Sequence, residues 1–299
     1  MRGLVTFVGS SVSHADWLAL SERGVPIEWI SIADLLTVAR IEIGNGRSTV
    51  VTGLEGRSAL WYNPGSFDAL ELDLRFGHVG DQGDFILRQY TALLACVEDG
   101  LDCIDPPSLQ RRRANKLIQA VEMNTLVPDL LIETRVTSDP REMRPGDVAK
   151  HVSETRRVTD DTAFYAYRLS AGDITDMASG ARAPIICQPF IGAPREYRTF
   201  WFGEHAVTVQ IPRPGSGSEV DIQFFPKLIA DAKVVETPVE LPWSRIRDGM
   251  GLSMFAIDYV IPASGPLVFE MNPVFSWAWL PPDCVDPVAE AVKRALENF

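Results

Sequence analysis

Short apolar runs and helical periods alternate in the first part of the chain. Residues 4–8, 27–31 and 59–62 are β-rich apolar runs, and residues 16–23 have a helical pattern that ends at a glycine. Strands that alternate with helices are typical of a partly parallel sheet. The pattern therefore predicts a small α/β unit at the start of the chain.

A helical stretch and a polar stretch follow. Residues 85–127 have a helical period with a break at 105–108, where Ser108 is the expected N-cap of a helix carrying the solvated basic run Arg111 to Arg113. An extended segment is expected from Pro128 to Thr134. Residues 135–185 are more polar, with two short strand-like runs near 147–152 and 163–167, which favours a small lid-type subdomain.

Apolar strands return in the last third of the chain. The expected elements are strands at 185–191, 197–202 and 206–211, a helix at 244–249, two strands within 255–273, and a closing helix at 286–299. The sequence Pro262-Ala-Ser-Gly265 is a turn signal, so residues 255–273 are predicted to form an antiparallel hairpin.

This hairpin carries the most informative polar residues. If it folds about Ser264, Asp258 lies opposite Glu270, and Asn272 follows on the same face. The residues expected to point into a core are Ile257, Tyr259, Phe269 and Met271. Three oxygen ligands on one face suit a hard cation such as Mg²⁺. The alternative is an edge hairpin whose polar residues face water.

Composition and charge exclude several classes of protein. The 299 residues carry a net charge of −12, which argues against a broad nucleic-acid or anionic-membrane surface. The first residues have too short an apolar run for a signal peptide, and no stretch is long enough to span a bilayer. The four cysteines form no C-x-x-C pair. A cytoplasmic protein is expected.

The order of lysines and acidic motifs resembles the ATP-grasp superfamily. A lysine on a helix, Lys116, precedes a lysine on a strand, Lys150, a Gln-x-Phe-Ile segment at 188–191, a Glu-x-Arg strand at 196–198 and the Asp258…Glu270-x-Asn272-Pro273 motif. The resemblance implies an α/β (α+β) ATP-grasp fold. The expected parts are an N-terminal α/β pre-ATP-grasp domain (1–108), a linker helix with the lid subdomain (109–187), and a C-terminal antiparallel-sheet domain (188–299).

Within that superfamily the chain is most similar to the peptide-modifying ligases of microviridin and related graspetide pathways. The stretches that carry this similarity are 60–65, 135–140, 220–223 and 272–279. Arg213, in Ile211-Pro-Arg213, is instead similar to the ribosomal-protein glutamate ligases and other amino-acid ligases. The chain therefore combines features of two groups.

The resemblance implies a role for each site residue. ATP and Mg²⁺ are the expected cofactors: Asp258, Glu270 and Asn272 would hold the metal, and Lys116 and Lys150 the phosphates. The segment with Gln188, Phe190 and Ile191 would bind the adenine.

Two arginines are the candidate catalytic residues. Arg198 lies on an aromatic strand, where either Glu196 or a substrate carboxylate or phosphate would be its partner. Arg213 is expected to stabilise the negative charge of a tetrahedral intermediate.

The expected function is an ATP-dependent carboxylate–amine or carboxylate–hydroxyl ligase that forms an acyl phosphate. Its expected partner is a precursor peptide, bound near residues 60–65 and by the lid at 135–183, which includes Arg156, Arg157, Asp160 and Asp161. The alternatives are a ligase for free amino acids or a small acid, a non-catalytic peptide-binding module, and a kinase. Nucleic-acid and membrane partners are not expected, and homodimerisation is left open.

Overall fold

The computed structural model describes residues 5–9, 13–44, 47–51, 54, 59–63, 83–98, 101, 103–152, 157–159, 162–163, 166–179, 183–214 and 226–297. The first unit contains β1 (Val5–Gly9), α1 (His14–Glu22), β2 (Ile27–Ser31), α2 (Ile32–Val38), β3 (Arg40–Gly44), β4 (Arg47–Val51) and β5 (Ala59–Asn63). Three strands form a parallel sheet in the order β2-β1-β5, and β3 pairs antiparallel with β4. The predicted α/β unit is confirmed.

Three helices connect this unit to the rest of the chain: α3 (Gly83–Glu98), α4 (Pro107–Ala114) and α5 (Lys116–Leu126). The predicted cap at Ser108 is wrong, because α4 already begins at Pro107, whose fixed φ suits the first turn of a helix. The helical conformation is interrupted at Asn115 instead, between the end of α4 and the start of α5. The Asn115 side chain accepts hydrogen bonds from the backbone N–H groups of Leu117 and Ile118 and so starts α5.

The basic run on α4 is only partly a solvated face. The side chains of Arg111 and Arg112 are 49% and 64% exposed, whereas that of Arg113 is 11% exposed. Arg113 donates a hydrogen bond of 3.1 Å to the carbonyl of Met250. It is therefore a packing residue, which the prediction missed because the partner is far away in sequence.

The lid consists of β6 (Arg135–Thr137), β7 (Asp147–His151), β8 (Arg157–Thr159), β9 (Thr162–Ala163), β10 (Tyr167–Arg168), α6 (Ala171–Ser179) and β11 (Ile185–Pro189). Four of its strands form an antiparallel sheet in the order β10-β7-β11-β6. Since β11 belongs to this sheet, the expected boundary at 187/188 falls inside a strand, and that at 108/109 falls inside α4.

The last part contains β12 (Arg195–Phe202), β13 (His205–Pro212), α7 (Pro226–Ala230), β14 (Lys233–Val235), α8 (Trp243–Met250), β15 (Met254–Val260), β16 (Leu267–Asn272) and α9 (Pro282–Leu296). Its strands form an antiparallel sheet in the order β14-β13-β12-β15-β16. No helix in the described parts of the chain is long and apolar enough to cross a membrane.

Apolar side chains cover both faces of this sheet. On one face Phe200 and Phe202 belong to a core with α9 and with Phe7 of β1, which joins the N-terminal unit to the sheet. On the other face Ile257 and Tyr259 pack in a core with residues of α5 and α8. The polar residues of β15 and β16 are thus held by a rigid, buried sheet.

A β-bulge in the hairpin changes one prediction. Asp258 pairs with Glu270 as predicted, but Tyr259 pairs with Val268, so the register shifts by one residue at Phe269. Val268 therefore occupies the core in place of Phe269. The strict alternation of side chains fails there because a bulge places two residues of one strand opposite one residue of the other.

Candidate active site

The site is built around a pair of residues on adjacent strands. Arg198 of β12 lies opposite Asp258 of β15, and its Nε and Nη2 atoms each donate a hydrogen bond of 2.5 Å to one carboxylate oxygen. The guanidinium also lies 5.5 Å from the ring centre of Trp279. Burial would lower the pKa of Arg198, but Asp258, together with Glu196 and Glu270, holds that pKa above its usual range.

The hairpin brings the three proposed metal ligands close together, and their role in binding a metal stays a prediction. The amide nitrogen of Asn272 donates to Asp258 Oδ2 at 2.9 Å and lies 3.5 Å from Glu270 Oε1. Asn272 thus directs its amide nitrogen at both carboxylates, and to bind a metal it would have to turn its oxygen toward them. Their spacing follows from the strand pairing, because Asp258 opposes Glu270 and Asn272 lies one period later.

The two predicted phosphate lysines meet at the same carboxylate. Lys116 is the first residue of α5, and its Nζ lies 3.1 Å from Glu270 Oε2. Lys150 Nζ, on the lid strand β7, lies 3.7 Å from the same oxygen. Burial alone would raise the pKa of Glu270, but these two lysines and Arg198 hold it far below its usual range.

A second ion pair lies behind the first. Glu196 Oε2 lies 3.7 Å from Nε of Arg213, and the two side chains are 16% and 7% exposed. Burial and the charge of Asp258 raise the pKa of Glu196 to about 7, against the lowering effect of Arg213 and Arg198. Glu196 was one of two alternative partners considered for Arg198. The structure gives Arg198 a different partner, Asp258, because the two residues are directly opposed across the sheet.

A narrow cleft separates the lid from α5 and β16. It is lined by Lys116, Lys150, Gln188, Glu270 and the bulged Phe269, among others. Gln188 on β11 is buried, and its side-chain amide donates a hydrogen bond of 3.0 Å to Thr134 Oγ1. Four predicted site residues therefore share one cleft: the metal residue Glu270, the phosphate residues Lys116 and Lys150, and the adenine residue Gln188.

Phe190 and Ile191 lie beside that cleft. The carbonyl of Ile191 accepts a hydrogen bond of 2.6 Å from Arg213 Nη1. The ring of Phe190 lies 4.6 Å from the guanidinium of Arg168 and 5.5 Å from that of Arg213. Here these two residues position arginines, and their adenine contact stays a prediction.

Phe269 is a site residue that the sequence did not reveal. Its ring centre lies 5.4 Å from Lys150 Nζ and 5.5 Å from the guanidinium carbon of Arg213. An aromatic face at such distances attracts a cation by about 0.5–2 kcal/mol. The bulge therefore turns a residue expected in the core into a contact for two cations of the site.

Gln119 is a second residue that was missed. It is buried, lies one turn after Lys116 on α5, and its side chain bonds both the N–H and the carbonyl of Met271. These bonds join α5 to β16 between Glu270 and Asn272. Its position three residues after Lys116 on a helix was the only sequence signal.

The charges of the site decide how it would hold a metal. Three carboxylates (Asp258, Glu270 and Glu196) face four cations (Arg198, Arg213, Lys116 and Lys150) through the ion pairs described above. Among the described residues, no group of three or more His, Cys, Asp or Glu side chains converges. Two carboxylates and an amide are chemically suited to Mg²⁺. The surrounding cations would repel Mg²⁺ alone, so they favour binding of Mg²⁺ together with an anionic nucleotide.

Some predicted contacts fall outside the described residues. These are Gly65 of the 60–65 stretch, Gln223 with its neighbours, and Arg156, Asp160 and Asp161 of the lid. Arg157 begins β8, which pairs with β9. The contribution of these residues to substrate binding stays a prediction.

Comparison with solved structures shows that the chain has the fold of the ATP-grasp ligases. It matches the macrocyclase MdnC bound with precursor peptide MdnA from Microcystis aeruginosa MRC with a TM-score of 0.70 and 18% identity, over 99% of this chain and 100% of that one. It matches the Chryseobacterium gregarium RiPP-associated ATP-grasp ligase in complex with ADP and a leader and core peptide with a TM-score of 0.70 and 16% identity, over 98% and 96% of the two chains.

A RimK domain ATP-grasp protein from Sphaerobacter thermophilus DSM 20745 is less similar, with a TM-score of 0.53 and 16% identity over 97% of this chain and 98% of that one. No family model and no curated protein sequence matches. The ATP-grasp fold that the motif order implied is confirmed.

Proposed function

We propose that this protein is an ATP-dependent ligase that activates a carboxylate as an acyl phosphate and joins it to an amine or a hydroxyl. The observation that carries the proposal is the convergence of Lys116 and Lys150 on Glu270, beside Asp258 and Asn272. Those cations and carboxylates come from α5, the lid and the hairpin. Their meeting point is suited to a magnesium-bound nucleotide held between the lid and the sheet.

Each group at this point has a distinct task. The two lysines would neutralise phosphate oxygens, and Asp258, Glu270 and Asn272 would hold Mg²⁺. When bound, the metal would screen the charge of the phosphates during transfer. The ion pair of Arg198 with Asp258 fixes the direction of that carboxylate, so the ligand geometry is set before the nucleotide binds.

Arg213 is the proposed carboxylate-activating residue. Its guanidinium is held by the Ile191 carbonyl and lies between the rings of Phe190 and Phe269. Its Nε has no hydrogen-bond partner among the described residues, although it is buried next to Glu196. A fixed arginine with a spare donor suits the negative charge that develops on a substrate carboxyl group.

We further propose a precursor peptide as the substrate. The structural neighbours include a macrocyclase bound with a precursor peptide and an ATP-grasp ligase in complex with ADP and a leader and core peptide. Another neighbour was solved with a phosphomimetic precursor, Mg and ADP. Macrolactone or lactam formation in natural-product biosynthesis is the corresponding activity. We propose a cytoplasmic location, and homodimerisation stays open.

The test is incubation with ATP, Mg²⁺ and a precursor peptide encoded near the gene. The expected products are ADP and phosphate without AMP, because the chemistry cleaves at the γ-phosphate. Each ring closed should lower the mass of the peptide by one water. AMP formation would overturn the mechanism. ADP release that only free amino acids or small acids stimulate would replace the peptide ligase by a small-molecule ligase.

A further inference from the structure

A second cleft, of about 220 Å³, lies beside the start of α5. We call it the N-terminal cleft. Its lining includes Asp16 of α1, Asn63 at the end of β5, Lys116, and the segment from Asn272 to Ser276. Lys116 and Gln119 line both clefts. The N-terminal cleft therefore adjoins the proposed metal and phosphate residues. Binding of Mg²⁺ or of phosphate groups does not account for the presence of this cleft.

The topology of the N-terminal sheet favours a ligand at this place. β1 lies between β2 and β5, and all three strands are parallel, so the chain leaves β1 toward one neighbour and later returns on the other side. In open parallel sheets, ligands bind outside the carboxyl ends of strands at such a reversal. Asn63 ends β5, and Asp16 lies on the helix that follows β1.

Two buried acceptor atoms of this cleft have no partner among the described residues. Asp16 is fully buried, and its Oδ1 accepts hydrogen bonds of 3.0, 2.9 and 2.8 Å from Ser276 Oγ and the N–H groups of Trp277 and Ala278. Its Oδ2 has none. Asn63 is 3% exposed, and its amide nitrogen donates to the carbonyl of Phe275 at 2.9 Å, whereas its Oδ1 has no partner.

The chemistry of these two acceptor atoms indicates which kind of ligand group would bind to them. Both spare atoms are acceptors, so a ligand that satisfies them must donate more than one hydrogen bond. Burial raises the pKa of Asp16 to about 6, against the three hydrogen bonds that lower it, so the carboxyl group is ionised above that pH. An ionised buried carboxylate favours a cationic donor. A primary ammonium group has three donors, one positive charge and no acceptor.

We propose that the N-terminal cleft binds a primary amine through Asp16 and Asn63, and that this amine is the nucleophile of the ligation. The bound ammonium group first gives one proton to the Asp16 carboxylate. The neutral amine then attacks the carbonyl carbon of the acyl phosphate. A C–N bond forms, the C–O bond to the phosphate group breaks, inorganic phosphate leaves with the electron pair, and the nitrogen loses its second proton to solvent. The inference rests on the proposed ligase function and narrows it: the product would be an amide rather than an ester. The primary amine could come from a lysine side chain or from an α-amino group. Binding of small molecules that mimic each source distinguishes the two.

Saturation-transfer NMR on the nucleotide-free protein at about pH 7, where both an alkylamine and an α-amine are mostly protonated, measures this selectivity. The probes are n-butylamine for the lysine side chain, glycinamide for an α-amine, and n-butanol as the uncharged control. We expect n-butylamine or glycinamide to bind about tenfold more tightly than n-butanol. The tighter of the two amines identifies the source.

Three variants test the residues. Asp16→Asn keeps the shape of the side chain and should remove most of the preference for the amine, whereas the matched surface change Asp231→Asn should retain it. Ala114→Leu adds bulk to the lining without touching Asp16 and should weaken binding of all three probes. It also serves if Asp16→Asn fails to fold.

Equal binding of amine and alcohol, no binding by the unmodified protein, or a preference that survives Asp16→Asn would overturn the inference. No binding by the unmodified protein would mean that only water occupies the cleft. A parallel titration of the unmodified protein with magnesium and ADP separates the two proposals. Loss of nucleotide binding there would contradict the ligase function, whereas amine binding is measured without nucleotide.

Discussion

Arg198 and Asp258 face each other across β12 and β15 and share two hydrogen bonds of 2.5 Å each. The side chains are 20% and 4% exposed, so this pair is largely withdrawn from water. Asn272 adds a third hydrogen bond to the same carboxylate. A proposed metal ligand is thus fixed by the arginine that sequence analysis considered as a substrate contact.

Replacing Arg198 with Met should lower the free energy of unfolding by about 3–5 kcal/mol, because it leaves the buried Asp258 carboxylate without its cation. Urea denaturation measures the change. The matched control is Arg195→Met on the same strand, an exposed residue whose guanidinium donates to the neutral side chain of Gln210. Equal losses in the two variants would mean that the ion pair does not stabilise the fold.

Replacing Glu270 with Ala should lower ATP turnover by about 100-fold or more, since it removes a proposed metal ligand and the carboxylate that Lys116 and Lys150 share. The assay is ADP release at saturating Mg²⁺, with circular dichroism to verify the fold. Glu236→Ala, on the exposed surface, is the control. Near-normal turnover would show that the metal face is misassigned.

The change Asp258→Asn combined with Asn272→Ala should be no worse for turnover than the more severe single change. Both residues contact the same point, so their effects are not additive. The same ADP assay measures all three variants. Losses that multiply would instead mean that the two side chains act at separate places.

Magnesium alone should bind with a dissociation constant above about 1 mM, because four cations surround the three carboxylates. Magnesium with ADP should bind much more tightly, and Lys150→Met should weaken that binding about tenfold. Calorimetric titration measures both, with the exposed Lys233→Met as control. Tight binding of Mg²⁺ without nucleotide would contradict the electrostatic interpretation.

Stability should fall as pH rises from about 4 to about 6, since burial raises the pKa of Asp16 from 3.8 to about 6. In that window the unfolded carboxyl group releases its proton before the folded one does, so the folded state binds more protons. Urea denaturation at several pH values should show a smaller slope in Asp16→Asn. An unchanged slope would assign the pH dependence to other groups.

Local patterns determined much of the fold. The turn at Pro262-Ala-Ser-Gly265 and the alternation on both sides of it were sufficient to place Asp258 opposite Glu270. Alternation could not reveal the bulge at Phe269, because a one-residue shift depends on how the hairpin packs between the core and the lid. The cap at Asn115 was missed for a different reason: it interrupts a continuous helical period, and α4 and α5 meet there at an angle set by tertiary packing.

The sequence by itself determined the types of the site residues and their order, which resembles ATP-grasp ligases and led to the confirmed fold. Only the tertiary structure decided their partners. Arg198 pairs with Asp258 across 60 residues of chain, and Lys116 reaches Glu270 across 154. A role for Asp16 and Asn63 could be inferred only from the tertiary structure, in which both side chains form hydrogen bonds with the segment after Asn272. Such pairings depend on strand register and on the packing of the parts, and neither is encoded in a local pattern of side chains.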